Sequence, residues 1–504
     1  MWEDNEFSTT SDAGRLKGSM DRRGLAIMVQ GCTSDAGKSL ITTALCRFLS
    51  NQGIRVAPFK AQNMSNNSRV VHGGEIGTAQ WLQAKASRVE PTVQMNPVLL
   101  KPQSDTKSQF ILLGKFDPEF TDMPWKSRSE KVWPHIESSL NYLLENYEIV
   151  VIEGAGSPAE INLFNSDFVN MRVAEAADAS VVLVVDIDRG GAFAHLYGTY
   201  QLLPKHWQSL IKGFLLNKFR GDPELLHPGP QELEHLTGIK TVGVIPMFKH
   251  HLPSEEGPSA HITSNGEMGK KVQIICGPYA SNLDEFALLQ QSTAVSWIRH
   301  KNDFDSPDLL ILPGSKNSAG DIAWMRENGI DVEIQNVADL GIPILGICGG
   351  MQILGQEITD DAGIESPTSV PGLGLLNLTT QFASKKEVRK QSVQFPKLPA
   401  PWEWLSESEI HGYEIHFGES IEGTLTPIIE GGLAYRDGNI MATYIHGIFE
   451  NNAVLENFSP NSFFDLDKTI DLLSDEVIKH IDAAWLEEFI PLLKGRAESG
   501  QPPY

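Results

Sequence analysis

Nine residues near the start of the chain, Gly31 to Ser39 (GCTSDAGKS), have the chemistry of a phosphate cradle. Glycines at both ends let the backbone curl so that successive N–H groups point at phosphate oxygens, and a following helix adds its positive dipole end. In that geometry Gly31, Thr33, Ser34, Asp35, Ala36 and Gly37 wrap a nucleotide. Lys38 supplies a cation for the β- and γ-phosphates, and the Ser39 hydroxyl suits Mg²⁺. Asp35 in the loop and Glu153 at the end of an apolar run (VVIEGAGS) are the natural carboxylates for that metal, which takes oxygen ligands and few protein carboxylates. Asp186 and Asp188 (VVDIDRGG) compete for the same role, and Asn217 with Lys218 (LLNKFRG) could meet the nucleotide base.

A second centre lies in the other half of the chain. Ile342–Gln352 reads IPILGICGGMQ, an apolar run ending in a cysteine flanked by glycines. This pattern fits a sharp strand–nucleophile–helix elbow, in which small neighbours admit the substrate and the helix terminus favours the thiolate of Cys348. A thiolate needs a general base, which sequence distance does not constrain. Of fourteen histidines, His446 follows an apolar run directly (MATYIHGIF) and is the best placed, with His411 and His416 (HGYEIHFG) as runners-up.

The elements that must position these groups alternate. Leu25–Gln30, Arg55–Phe59, Ile149–Ile152, Val181–Asp186, Gly213–Asn217 and Val242–Ile245 read as buried strands. Helical spacing recurs between them, at 38–50, 76–88, 131–145 and 192–203. That order implies a parallel, doubly wound sheet. Residues 247–271, rich in Pro, Gly, Ser and charge, read as a linker. A second α/β pattern follows, with strands at 272–276, 309–312, 342–347, 431–435 and 441–445. The expected organisation is a disordered leader to residue 24, a nucleotide domain over 25–246, a second domain over 272–458, and a helical tail from 459 that packs on the second domain.

With 41 Lys plus Arg against 64 Asp plus Glu, the formal charge is −23, which argues against coating nucleic acid or an anionic membrane. Four cysteines without CxxC spacing suggest neither a disulfide framework nor a zinc ribbon. No apolar run reaches membrane-spanning length, and the polar N-terminus is no secretory signal. A cytoplasmic enzyme acting on small molecules is expected.

The motifs VQGCTSDAGKS, APFKAQNMSNNS, GGEIGTAQWLQA, MNPVLLKPQSDTKSQ, VIEGAGSPAEINL, VDIDRGGAFA, LNKFRGD, LPGSKNSAGDIAW, GICGGMQILG, GYEIHFG and YIHGIF stand in one order between Leu25 and Phe458. Together they resemble the cobyric acid synthase family, glutamine-dependent enzymes of cobalamin biosynthesis. The phosphate loop, with five residues between Gly31 and Gly37, also resembles that of dethiobiotin synthetase, which lacks a glutaminase domain. The sibling cobyrinic acid a,c-diamide synthase shares the two-domain plan. A partitioning ATPase is a third alternative, against which the Cys348 elbow argues.

The resemblance implies an N-terminal dethiobiotin synthetase-like P-loop domain and a C-terminal class I glutamine amidotransferase-like α/β domain. It also implies amidation of carboxylates b, d, e and g of adenosylcobyrinic acid a,c-diamide, with ATP and Mg²⁺ at the first centre and ammonia released from glutamine at the second. Lys60, Gln62, Asn63, Asn96, Lys101 and Ser104 follow early strands and are expected to contact substrate carboxylates. Usual triad glutaminases carry Glu two residues after the histidine; here Ile448 stands there. A Cys–His dyad or a third partner from elsewhere is therefore expected, with Glu450 a possible orienter.

Overall fold

The computed structural model describes residues 23–103, 108–250, 252, 269–361, 363–365, 369–423, 425–459, 465–491 and 493. The expected leader up to residue 22, most of the 247–271 stretch and Ser104 lie outside them.

Apolar runs buried on both faces form two central sheets. The first has six parallel strands in the order Thr241–Pro246, Ile211–Phe219, Ser180–Asp186, Leu25–Gly31, Ile149–Glu153 and Val56–Phe59. The chain leaves Leu25–Gly31 toward one edge and later returns on its other side. The strand order therefore reverses at the phosphate loop, and the carboxyl ends carrying Gly31, Glu153 and Asp186 lie side by side. Between Val56–Phe59 and Ile149–Glu153 the chain inserts a four-stranded sheet, a hairpin pairing Ser68–Val71 with Gly74–Gly77, and the helix Thr78–Ala86. The helix expected from Ile76 starts two residues later, because Gly77 is extended (φ −60°, ψ 144°) and belongs to the hairpin.

The second sheet orders Ala294–Ile298, Lys271–Ile275, Leu309–Leu312, Ile344–Ile347, Ile440–Thr443 and Ala434–Asp437, with only the last pair antiparallel. The expected strand at 431–435 begins at Ala434, since Gly431 and Gly432 take φ of 77° and 71° in the preceding turn. A long antiparallel hairpin, Leu378–Gln394 with Glu409–Glu422, covers one end of this domain and reaches the Ser68–Gly77 hairpin of the first. Charged residues crowd its first strand (KKEVRKQ), which hides the two-residue alternation.

The tail departs from expectation. Its helix Leu466–Ile478 packs on the first domain, not the second. Ile470, Leu473 and Val477 join the cluster that holds Leu45 and Leu49 of the helix opening the phosphate loop. Ser474 Oγ donates to Ala44 O (3.0 Å), and Asn51 Nδ2 donates to Asp471 (3.1 Å). Among the described residues no helix is long and apolar enough to cross a membrane.

Candidate active site

The phosphate loop leaves Leu25–Gly31 and enters the helix Lys38–Asn51 through Gly37, whose φ is +95°. A Cβ there would stand 2.1 Å from Asn217 Nδ2, so both backbone and space require glycine. Asn217 itself donates to Ala36 O (2.8 Å). Through that bond it braces the loop. Lys218 Nζ likewise ties Asp35 O (2.6 Å) to Asp186 (2.9 Å).

Glu153 sits at the floor. Ser39 Oγ and Lys60 Nζ each donate to its Oε1 at 2.8 Å, and Gln83 Nε2 donates to Oε2 at 2.5 Å. Burial opposes its charge, but Lys60 and the three hydrogen bonds outweigh that and hold the carboxyl below its ordinary range. Ser34, Asp35, Lys38, Ser39, Lys60, Gln62, Asn63 and Glu153 line one cleft of about 770 Å³. Apolar side chains also line it, among them Met64 and Leu163, which are 61% and 42% exposed.

The Ser39 hydroxyl and Glu153 carboxylate form an adjacent pair of hard oxygen donors opening on the phosphate loop, which suits Mg²⁺ shared with nucleotide phosphates. Asp35 stands at the cleft edge, paired with Arg189 at 2.8 Å. Asp186 is engaged by Lys218 (2.9 Å) and Arg189 (3.3 Å), and Asp188 by Arg220 (3.1 Å). Among the described residues no group of three or more His, Cys, Asp or Glu is arranged to hold a metal by itself.

Of the expected substrate contacts, Lys60, Gln62 and Asn63 line the cleft. Asn96 and Lys101 do not. Asn96 accepts from Gly77 N (3.0 Å) and donates to Lys60 O (3.2 Å) and Val98 O (2.8 Å), so its amide is consumed in holding the insert together. Lys101 is fully buried, ion-paired with Glu75 and donating to Ser68 Oγ (2.6 Å). Both side chains are used up by structure because a buried amide or ammonium must find partners there.

The thiol centre lies in the second domain. Cys348 ends the strand Ile344–Ile347 with φ 52° and ψ −105°, a strained conformation held by the surrounding chain. Its N–H donates to Thr443 O (2.7 Å) on the neighbouring strand. At Gly350 a Cβ would lie 2.0 Å from Leu312 O, so the turn closes only with glycine there. His446 is buried beside the Cys348 thiol, which itself donates to Ile415 O at 3.6 Å.

The partner of His446 is Glu285, which the sequence reading missed. Glu285 Oε1 and His446 Nδ1 are 2.8 Å apart, and Glu285 Oε2 accepts from Gly447 N at 2.7 Å. Burial disfavours the imidazolium, but Glu285, followed by Cys348, overcomes it and raises His446 to about 10. Glu285 belongs to a one-turn helix, Leu283–Phe286, some 160 residues before the histidine in sequence. The only local signal was a pair of acids set against an apolar run (LDEFALL), which no general rule distinguishes from a helix start.

Glu450 is not the orienter: it pairs with Arg69 at 2.5 Å. His411 is exposed, and His416 is bound to Glu414 (3.0 Å) and Gly418 O (2.8 Å), stacked on Tyr444. Burial pushes the Cys32 and Cys46 thiols up to about 11 and about 12, so neither competes as a thiolate.

Residues 27–256 match the family model of the CobQ/CobB/MinD/ParA nucleotide binding domain, and residues 271–454 that of the CobB/CobQ-like glutamine amidotransferase domain. A nucleotide site joined to a glutaminase in one chain defines a glutamine-dependent amidoligase. Among curated proteins the chain is 48% identical to the cobyric acid synthase of Variovorax paradoxus (strain S110), covering 92% of this chain and 99% of that one. It is 46% identical to that of Polaromonas sp. (strain JS666 / ATCC BAA-500), over 92% and 98% of the two chains. With that of Leptothrix cholodnii (strain ATCC 51168 / LMG 8142 / SP-6) it shares 44%, over 95% and 98%. The chain belongs to the cobyric acid synthase family.

Proposed function

We propose that this enzyme converts the b, d, e and g carboxylates of adenosylcobyrinic acid a,c-diamide to carboxamides, using one ATP and one glutamine for each. The observation that carries the reading is the Cys348–His446–Glu285 array, standing in the same chain as a phosphate cradle. A thiolate that releases ammonia is of use only where an activated acceptor waits.

At the first site a substrate carboxylate attacks the γ-phosphorus of ATP, ADP leaves, and an acyl phosphate forms. Lys38 and the loop N–H groups stabilise charge on the transferring phosphoryl group. Ser39 and Glu153 would hold Mg²⁺, which supplies further charge neutralisation when bound. Lys60, lying against Glu153 on the cleft floor, adds a fixed positive charge where acceptor carboxylate and phosphates meet. The exposed apolar side chains of Met64 and Leu163 in the cleft lining suit the face of a large macrocycle.

At the second site the Cys348 thiolate attacks the glutamine carboxamide carbon, and His446 gives its proton to the departing ammonia. Water then hydrolyses the thioester to glutamate, with His446 accepting a proton. Glu285 fixes the imidazole and stabilises its charged form. Ammonia reaches the acyl phosphate within the protein, displaces phosphate and forms the amide, avoiding protonation in bulk water.

The test is an incubation with ATP, glutamine and the a,c-diamide, read by product mass. Four successive hydroxyl-to-amide conversions are expected. Amidation of cobyrinic acid itself, stopping after two, would instead make the protein an a,c-diamide synthase.

A further inference from the structure

The hairpin Ser68–Gly77 of the nucleotide domain carries Arg69, which is buried at 3% exposure inside the junction with the glutaminase domain. Its guanidinium pairs at 2.5 Å with both Asp284 and Glu450 of the other domain. Asp284 immediately precedes Glu285, the residue that holds His446. Arg69 also lies over the Tyr413 ring, 5.3 Å from its centroid, and that ring stacks on the His446 imidazole at 5.2 Å and 13°. Tyr413 and His446 exchange backbone hydrogen bonds (3.2 and 2.9 Å). Arg69 therefore reaches the catalytic imidazole by two routes, one through carboxylates and one through a ring.

The same junction reaches the nucleotide cleft. Thr78, which lines that cleft, donates its hydroxyl to Asp284 Oδ2 at 3.2 Å. Asn67, beside the hairpin, accepts from Leu283 N at 3.1 Å and so anchors the turn that bears Asp284 and Glu285. Three carboxylates, the buried Asp284 and Glu285 and the partly exposed Glu450, crowd this volume. Like charges in a buried space repel, so they need a cation supplied from the facing domain.

We propose that Arg69 is a positioning residue of the glutaminase, lent by the nucleotide domain. It fixes Asp284 and Glu450 beside the Glu285–His446 pair and Tyr413 against the imidazole, so that the thiol site is competent only while the two domains are docked. This rests on the glutaminase reading above. It gives that reading a physical basis for confining ammonia release to the docked state, since loss of the junction removes the clamp on the imidazole.

The experiment compares wild type, Arg69→Ala and Arg69→Lys in the full chain, with glutamine or with ammonium salt as nitrogen source. Alkylation of Cys348 by the electrophilic analogue 6-diazo-5-oxo-norleucine gives a third readout. For Arg69→Ala, kcat with glutamine and the rate of alkylation are expected to fall by about 10–100-fold, the loss a small misplacement causes. KM for glutamine should change little, ammonium-supported synthesis should persist, and Arg69→Lys should recover part of the loss. Equal losses with both nitrogen sources, or no loss of alkylation rate, would overturn the proposal. If Arg69→Ala does not fold, Arg69→Lys and Asp284→Asn decide by the same ratio of glutamine- to ammonium-supported rate. Failure of wild type to amidate the corrinoid would count against the proposed function, while the alkylation rates would still decide the role of Arg69.

Discussion

On the proposed mechanism Cys348 and Lys38 divide the work, and their variants should divide the activities. Cys348→Ala removes the sulfur on which the thioester forms, so glutamine-supported synthesis should vanish while synthesis from ammonium continues. Lys38→Ala should lower both by about 10²–10³-fold, the usual effect of deleting one transition-state charge partner. Parallel assays with the two nitrogen sources read the split directly. Glu285 governs the pH response. Because it lifts His446 to about 10, the imidazolium needed to protonate departing ammonia persists well into alkaline solution. Glu285→Gln withdraws that charge, so the alkaline limb of the glutamine-dependent rate should move to lower pH. The ammonium-supported profile serves as control. An unmoved limb would show that Glu285 does not set the protonation of His446.

The elements that carry these residues are fixed by close approach of backbone. At the elbow, Gly350 faces Leu312 O so closely that a Cβ, at 2.0 Å, forces the strand and helix apart. Gly350→Ala should destabilise the glutaminase domain by about 1–3 kcal/mol or more and lower its thermal midpoint together with the rate of Cys348 alkylation. Gly156→Ala is the contrast. Its φ is +61° but nothing lies within 4 Å of the added methyl, so only the backbone penalty of about 1 kcal/mol applies. Similar midpoints for the two variants would show that the elbow yields more easily than its geometry indicates.

At the scale of the molecule, the tail closes a loop from the end of the chain back to the phosphate site. Arg47, fully buried in the helix Lys38–Asn51, meets Asp467 and, at 3.6 Å, Asp471 on the tail helix. Changing both acids to Asn leaves a buried guanidinium without an anion. Because Asp467 is 70% exposed and water can partly replace it, the expected loss is about 1–3 kcal/mol, below that for a fully enclosed pair. It should appear as a lower unfolding midpoint accompanied by weaker nucleotide binding, since the strained helix opens the loop. A lower midpoint with nucleotide binding intact would mean that the tail supports the domain without supporting the loop.

Local chemistry made much of this protein legible from its residues alone. A buried strand, a glycine loop and GKS can hardly do anything but cradle phosphate, and a cysteine between glycines after an apolar strand can hardly avoid the elbow. Those arguments concern neighbours in the chain, where covalent geometry limits the outcomes. Tertiary structure alone decided the partners that come from far away. It brought Glu285 to His446 and Arg69 to the neighbouring Asp284 and Glu450, and it placed Asn96 and Lys101, expected at the substrate, in the scaffold. It also laid the tail on the first domain, where Leu45 and Leu49 offered an apolar face. An ionic or hydrogen-bonding side chain carries no mark of which distant group will satisfy it. That choice is made only when packing brings two surfaces together and each buried charge must find its partner.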